Sequence, residues 1–391
     1  MANDMPAMSL VPSEDEAALR QVVADVAKKF DHDYFMEKTR QGLPVDELWD
    51  ELAALGFLGV SLPEEYGGGG GGLWQLAIVA EELAAAGCPL QLLVYSQSIG
   101  GSILAKHGTD QQKERWLRGL ATGKLKFSFA LTESDAGSNS QGVSTSARVV
   151  DGKYVLSGTK TFISGVEGAD AILVVARTGT DEKTGKGQLS LFIVDSDAPG
   201  LSRQLVPTAL QAPDKQWTLF FDDVTLDADR LVGELHRGFR AVFDGLNPER
   251  VLGAAFCVGI GRYALDKAAR YVNEREVWGV PIGKHQGVAH PLAAAKVELE
   301  AARLMMEKAA RLYDAGLQAA EAANMAKYLA GEAGVHCLDS AIQVHGGNGF
   351  ALEYGLTDMW WLARLIQVAP VSREMVLNFV AEHSLGLPKS Y

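Results

Sequence analysis

Sulfur chemistry is scarce in this sequence: three cysteines among 391 residues, Cys88, Cys257 and Cys337, lie far apart. A scattered, odd set excludes a disulfide framework or a zinc-ligand spacing, and fits a reducing compartment, here expected to be the cytoplasm. Histidine is sparse too. The eight histidines form no cluster, and His285 and His290 have no Cys or carboxylate at ligand spacing, so no metal is expected. No Ser-His-Asp set can be argued from linear order. No apolar run is long enough to span a bilayer, so no transmembrane segment is expected. Residues 1–12 lack a basic stretch followed by an apolar one, which argues against a signal peptide. Basic residues are outnumbered, 36 Lys and Arg against 49 Asp and Glu, for a formal net charge of -13. That balance argues against nucleic acid as a partner.

Hydrophobic residues make up 47% of the chain, enough for a large core and more than one domain. Ser13 to Glu16 reads as a capping box, and Leu19, Val22, Val23, Val26 and Phe30 follow at helical spacing. A second helix carries Leu48, Leu52 and Leu55 and stops at Gly56. Six glycines, Gly67 to Gly72, match any glycine fingerprint trivially and read as a flexible loop. Helices over Leu73 to Ala86 and Gln111 to Ala121 follow, the latter with Asp110 as its cap. From Lys126 the period changes to two. Val143, Thr145, Ala147 and Val149 alternate, and Asp151-Gly152 reads as a hairpin turn before Tyr154 to Leu156. Further strands are expected at Ala171 to Val175, Leu189 to Val194 and Thr218 to Val224. From Gly238 the helical period returns, with Leu292, Leu299, Met306 and Tyr313 seven apart and Ala295, Ala302 and Ala309 alongside. Gly259, Gly261 and Ala264 fit a dinucleotide fingerprint, but no strand precedes them, so they read as small residues at a helix–helix contact. The expected architecture is α+β and multidomain: an N-terminal helical domain (1–125), a β-barrel-like middle domain (126–235) and a C-terminal four-helix bundle (236–391).

The most informative stretch is Phe129 to Ser164. A strand signal from Phe127 to Leu131 runs into a turn rich in Thr, Ser, Asp and Gly. Such a turn offers hydroxyls and backbone N–H groups to a polar ligand. Phe162 and Ser164 fall on one strand face, an aromatic beside a hydroxyl, which suits a flat ring with polar edges. The same residues also read as an ordinary β-turn and a half-buried strand.

At these residues the chain resembles the acyl-CoA dehydrogenase family, and the likeness runs from about Ser13 to Leu387. The family's Thr-Glu-x-x-x-Gly-Ser segment corresponds to Thr132, Glu133, Gly137 and Ser138. Its aromatic-Ile-Ser/Thr segment corresponds to Phe162, Ile163 and Ser164. The resemblance implies that these residues, with Phe129 and Leu131, cradle the isoalloxazine of FAD. Two departures are visible: Ser134-Asp135 replaces the usual Pro-Gly, and Phe162 replaces the usual Trp. The resemblance further implies that Arg275, Trp278, Gln286, Gln343, Val344, His345, Gly346, Gly347 and Ser372 contact the dinucleotide, partly across a subunit boundary. A guanidinium fork suits phosphate, and paired glycines let backbone approach a ligand closely. Taken alone, Arg275 could equally pair with Glu274 or Glu276 on the surface, and the glycines could merely end a helix. A shared site implies an oligomer, a homotetramer or homodimer.

The implied reaction is α,β-dehydrogenation of an acyl-CoA thioester to the trans-2-enoyl-CoA, with electrons passed to an electron-transferring flavoprotein. The usual base is absent, because Pro370 stands where the family's Tyr-Glu-Gly-Thr segment has its Glu. Some relatives place the base in a Glu-Arg pair on the first long helix of the bundle, and Glu249-Arg250 matches that pair. Glu249 is therefore the expected base, with Ser138, Asn247 and Arg250 at the substrate. Read locally, Asn247, Pro248 and Glu249 also form a helix-start signature, or Pro248 kinks a continuous helix. Proline has no N–H, so the thioester oxygen needs another donor, unless the register differs by a residue. Alternatives are the same fold with elimination or oxidase chemistry, and a non-catalytic acyl-thioester binding protein. Chain length, branching and the CoA or carrier-protein handle stay open.

Overall fold

The N-terminal capping box forms. In the computed structural model, which describes residues 10–390, Ser13 Oγ accepts from the Glu16 N–H and Glu16 returns the bond to Ser13. The helix Glu14–Ala27 buries Val23, Val26 and Ala27 while Val22 faces out. A helix not expected from the sequence, His32–Gln41, is capped by Asp31 and stopped by Gly42 in the left-handed region. Asp46–Ala54 ends before Gly56, whose φ is +76°. The 110–121 stretch is capped by Thr109 rather than Asp110: the Thr109 hydroxyl accepts from Gln112 N, and Gln112 bonds back.

The glycine run is a packed strap, not a flexible loop. Gly68, Gly69, Gly70 and Gly71 donate to the carbonyls of Pro63, Gly59, Leu62 and Val60 at 2.9 to 3.0 Å. A Cβ on Gly68 would lie 2.2 Å from the Leu62 carbonyl oxygen, so the close backbone approach requires glycine. At its end Gly72 leaves room for Asp314 of the bundle. That carboxylate accepts from the Leu73 and Trp74 N–H groups and caps the helix Leu73–Ala85 from another domain.

The middle of the chain is an eight-stranded mixed sheet: β1 Phe127–Ala130, β2 Ser146–Val150, β3 Lys153–Ser164, β4 Ala171–Thr180, β5 Gly187–Asp195, β6 Leu201–Val206, β7 Gln216–Leu226 and β8 Leu231–Val232. Its order is β6-β7-β3-β2-β4-β5-β8, with β1 parallel to β4. The β2–β3 hairpin turns at Asp151-Gly152, both at positive φ. β4 and β5 are buried on both faces. Leu173, Val175, Leu191 and Ile193 join the helical core, while Ile172, Val174, Phe192 and Val194 join a second core inside the curled sheet. That explains their near-continuous apolar sequence.

The C-terminal part packs the helices Gly238–Glu274, Gln286–Asp314, Ala320–His345 and Leu356–Val368. The seven-residue stripe lies inward: Leu299, Met306, Ala295, Ala302 and Ala309 are buried. Gly259 and Gly261 are contact glycines, since Cβ atoms there would meet the Glu81 carbonyl at 2.4 Å and Leu299 at 2.6 Å. Arg20 and Arg262 grip the buried Glu81 and Glu82, tying the first helix and the Leu73–Ala85 helix to the bundle. Among the described residues no helix is long and apolar enough to cross a membrane.

Candidate active site

Two segments separated in sequence meet at the end of β1. The Thr161 N–H donates to the Thr132 carbonyl at 2.9 Å, and Lys160 Nζ donates to the Leu131 carbonyl at 2.8 Å. Lys160 is fully buried and also lies 2.9 Å from Glu133. The Glu133 carboxylate accepts in addition from Ser144 N, Ser144 Oγ and Thr145 N. Burial pushes Glu133 up, but the bonds from Ser144, Thr145 and Lys160 win and hold it at about 2. Burial draws Lys160 down to about 8 against the pull of Glu133. The pair thus clamps the Leu131–Ser138 turn to β3. Neither residue's clamping role was foreseen from the sequence.

β3 bulges between Lys160 and Ile163, where Phe162 takes a φ of +54°. A bulky residue in this region costs on the order of 1–3 kcal/mol. The strained ring is 59% exposed, while Ile163 behind it is buried. Ser164 Oγ is engaged by Gln216 Nε2 at 2.9 Å. Ser138 is exposed, and nothing lies within 4 Å of where a Gly137 Cβ would be. Phe129 and Leu131 pack half-buried against the core. An uncovered aromatic beside an open glycine and free hydroxyl turn fits a flat heteroaromatic group such as a flavin.

A second group gathers elsewhere. Arg275 and Gln343, Val344, His345, Gly346 and Gly347 line one recess of about 490 Å³, with Tyr271 and Ile282. Arg275 is exposed and makes no ion pair among the described residues, so the surface pairing with Glu274 or Glu276 does not form. Gly346 has a φ of +59°, and both Gly346 and Gly347 have open space at their Cβ positions. His345 is buried in the wall, its ring stacked 4.1 Å from Tyr271. A cationic fork and an open glycine turn lining one recess fit phosphate. Trp278, 88% exposed, and Gln286 do not line this recess. The Ser372 hydroxyl accepts from Met375 N and caps the short helix Arg373–Phe379.

Glu249 sits inside the continuous helix Gly238–Glu274, so the helix-start reading at Asn247 is corrected and Pro248 is interior. Residues before it are already helical because Ala241, Val242, Gly245 and Leu246 are buried; a Gly245 Cβ would meet Ile103 at 2.8 Å. That packing overrides the local start signal. Asn247 is not a cap. Its Oδ1 accepts from Arg250 Nη1 at 2.8 Å, fixing the guanidinium one turn on.

The Glu249 residue keeps a partly exposed edge, yet its Oε2 is buried without a hydrogen-bond partner. Burial lifts the carboxyl to about 8, and the positive charges of Arg250 and Lys327 only partly pull it back. Arg250 is itself buried, which lowers its basicity against the support of Glu249. Lys327, from the helix Ala320–His345, is 1% exposed and donates to the Val371 carbonyl beside the cis Ala369–Pro370 peptide. Burial lowers it to about 8. Lys327 was missed in the sequence. Its signal was there: with Ala323, Ala330 and Gly334 it occupies the buried stripe of its helix at i, i+4, i+7 and i+11 spacing. The π-helical segment Leu93–Gly101 connects this site to the β1 end. Gly100 packs on Phe127, and Ile99 packs on Gly245.

Comparison with known proteins agrees along the whole chain. Models of the acyl-CoA dehydrogenase N-terminal, middle and C-terminal domains match residues 13–124, 128–224 and 236–385. The chain is 52% identical to acyl-CoA dehydrogenase FadE12 of Mycobacterium tuberculosis over 98% of this chain and 99% of that one. It is 32% identical to the caffeyl-CoA reductase-Etf complex subunit CarC of Acetobacterium woodii, over 91% and 94% of the two chains. A glutaryl-CoA dehydrogenase from Mycobacterium smegmatis in complex with FADH2 superposes with a TM-score of 0.90 at 25% identity, over 97% and 96%. The chain belongs to the acyl-CoA dehydrogenase family, flavoprotein oxidoreductases that take FAD.

Proposed function

We propose that this protein removes the α-proton of an acyl-CoA thioester with Glu249 and yields the trans-2-enoyl-CoA. The observation that carries the reading is the buried, unpartnered Glu249 Oε2. A carboxyl lifted to about 8 is a stronger base, once ionised, than an exposed glutamate. Bound FAD supplies the acceptor for the β-hydride. Phe162 would pack against its ring system, with Phe129, Leu131, Thr132, Gly137, Ser138, Ile163 and Ser164 around it. Arg275 and the Gln343–Gly347 turn would take the phosphate-bearing part of the cofactor. Arg250, held by Asn247, would meet the thioester side of the substrate. Pro370 cannot donate a backbone N–H to the thioester oxygen, so that donor must come from another group.

An electron-transferring flavoprotein is the proposed acceptor, by likeness to a relative named for its Etf complex. A homotetramer or homodimer is proposed because no residue of the Phe162 turn and strand lines the Arg275 recess, which leaves two partial sites. Three buried free thiols fit a reducing cytoplasm.

The test is flavin bleaching by a panel of saturated acyl-CoAs under anaerobic conditions. Wild-type protein bleaches with at least one of them, and Glu249→Gln binds FAD and acyl-CoA but bleaches about 100-fold more slowly or worse. Pro370→Ala keeps measurable activity. A Glu249→Gln protein that bleaches at the wild-type rate overturns the assignment of the base.

A further inference from the structure

Gln216 is buried at the first position of β7, and its side-chain hydrogen bonds among the described residues all go to one atom. Its Nε2 donates to Ser164 Oγ at 2.9 Å, and its Oε1 lies 3.2 Å from the same Oγ. A buried amide needs partners for both its carbonyl and its NH2 group, and here a single hydroxyl supplies them. Turning the amide over would still set one donor and one acceptor against that hydroxyl. The rest of Ser164 is fixed. Its carbonyl accepts from the buried Ser128 Oγ at 2.9 Å, and its Cα pairs with that of Gln216 across β3 and β7. The next residue, Gly165, donates to the Lys215 carbonyl at 3.0 Å. Only the hydroxyl proton is left free to turn, since a serine O–H rotates to suit its partners. Ser164 is half-buried and keeps an open side, two residues from the exposed Phe162.

We propose that Gln216 is a positioning residue that lets the Ser164 hydroxyl serve the flavin in both of its redox states. The inference rests on Ser164 facing the polar edge of the ring. An oxidised flavin offers acceptor atoms at that edge. Once a hydride with its two electrons has arrived from the substrate β-carbon, one edge nitrogen carries a hydrogen and has become a donor. A hydroxyl has one donor and two acceptor sites, and the two contacts to Gln216 match its two uses. In the first, Nε2 donates to Oγ and the Ser164 proton points outward to an acceptor. In the second, Oγ accepts from Nε2 and from the ligand N–H together, and its own proton turns to Gln216 Oε1. The hydroxyl only rotates, so the protein neither gains nor loses a proton. The second arrangement satisfies both ends of the amide, whereas the first leaves Oε1 without the hydroxyl proton. Gln216 therefore favours the reduced cofactor over the oxidised one.

The experiment compares the midpoint potential of bound FAD, by equilibration with reference dyes, in wild type, Gln216→Leu, Ser164→Ala and the double variant. Gln216→Leu removes the acceptor that the hydroxyl needs in the reduced state. Reduced FAD should then bind about tenfold more weakly relative to oxidised FAD, which lowers the two-electron midpoint by about 30 mV. In the Ser164→Ala background the same change should give no further shift, because the hydroxyl through which Gln216 acts is gone. A merely structural Gln216 would weaken both redox forms alike and leave the midpoint unmoved, and that result overturns the proposal. An equal shift with and without the Ser164 hydroxyl overturns it too. If Gln216→Leu does not fold, Gln216→Met carries the same comparison. A Ser164→Ala protein with unchanged FAD affinity and midpoint sinks the placing of Ser164 at the ring instead. A shifted Ser164→Ala with an unshifted Gln216→Leu sinks only the role of Gln216.

Discussion

Lys160 and Glu133, 27 residues apart in sequence, form a buried ion pair with 2.9 Å between Nζ and Oε1. The pair joins the turn after β1 to the strand that carries Phe162. Removing one partner leaves a buried charge uncompensated. Lys160→Met should therefore destabilise the protein by about 3–5 kcal/mol, and Lys160→Met with Glu133→Gln should recover much of that. Denaturant unfolding of the three proteins checks it. The pH dependence has a definite sign. Glu133 is held at about 2, below its ordinary value, so its contribution is present above about pH 4.5 and is lost as pH falls toward 2. Glu133→Gln should lack that acid limb.

Gly137 separates folding from ligand binding. Nothing in the chain lies within 4 Å of a Cβ built there, and its φ is not in the left-handed region. Gly137→Ala should change stability by less than about 1 kcal/mol. If its backbone approaches the flavin, the added methyl meets the cofactor, and FAD should bind at least tenfold more weakly. Thermal melts of apoprotein and an equilibrium FAD titration together check both halves.

Arg275→Ala should weaken FAD retention more than it slows chemistry. The guanidinium has no ion-pair partner among the described residues and lines the same recess as the Gly346–Gly347 turn. A charge-assisted bond to phosphate contributes about 1.5–3 kcal/mol, which is roughly ten- to a hundredfold in affinity. Titration of apoprotein with FAD at two salt concentrations should show the loss and a reduced salt dependence. Unchanged affinity would count against a phosphate role.

The fold was legible wherever periodicity is decided locally. The Ser13 capping box, the Asp151-Gly152 hairpin and the seven-residue stripe from Leu292 to Tyr313 each depend on near neighbours, and each is found. What failed was decided by distant contacts. The glycine run looks loose in sequence, but its order comes from carbonyls of residues 59–63 and from Asp314. Asn247 and Pro248 spell a helix start, but burial of Ala241, Val242, Gly245 and Leu246, with Gly245 against Ile99 and Ile103, extends the helix through them. At the candidate site, named motif residues could be read from the sequence. The buried lysines near them went unread: Lys160, because a single lysine in a strand ordinarily faces solvent, and Lys327, although it falls in the buried stripe of its helix.

Glu249 makes the protein's stability depend on pH in the opposite sense to Glu133. Its carboxyl is lifted from about 4.5 to about 8 in the folded state, first by burial. Between those values the folded chain holds a proton that the unfolded chain has released. Stability from this group is therefore complete below about pH 4.5 and is lost as pH rises through about 8. Glu249→Gln stays neutral throughout and carries no such loss. The variant should gain on the wild type as pH rises from 5 to 8, by a few degrees in Tm for a chain of this size. Melting both proteins without substrate across that range checks it, and a constant difference in Tm would show that the carboxyl ionises as freely in the folded protein as in water. The same measurement bears on catalysis, because the burial that costs stability at alkaline pH is what gives this carboxylate its strength as a base.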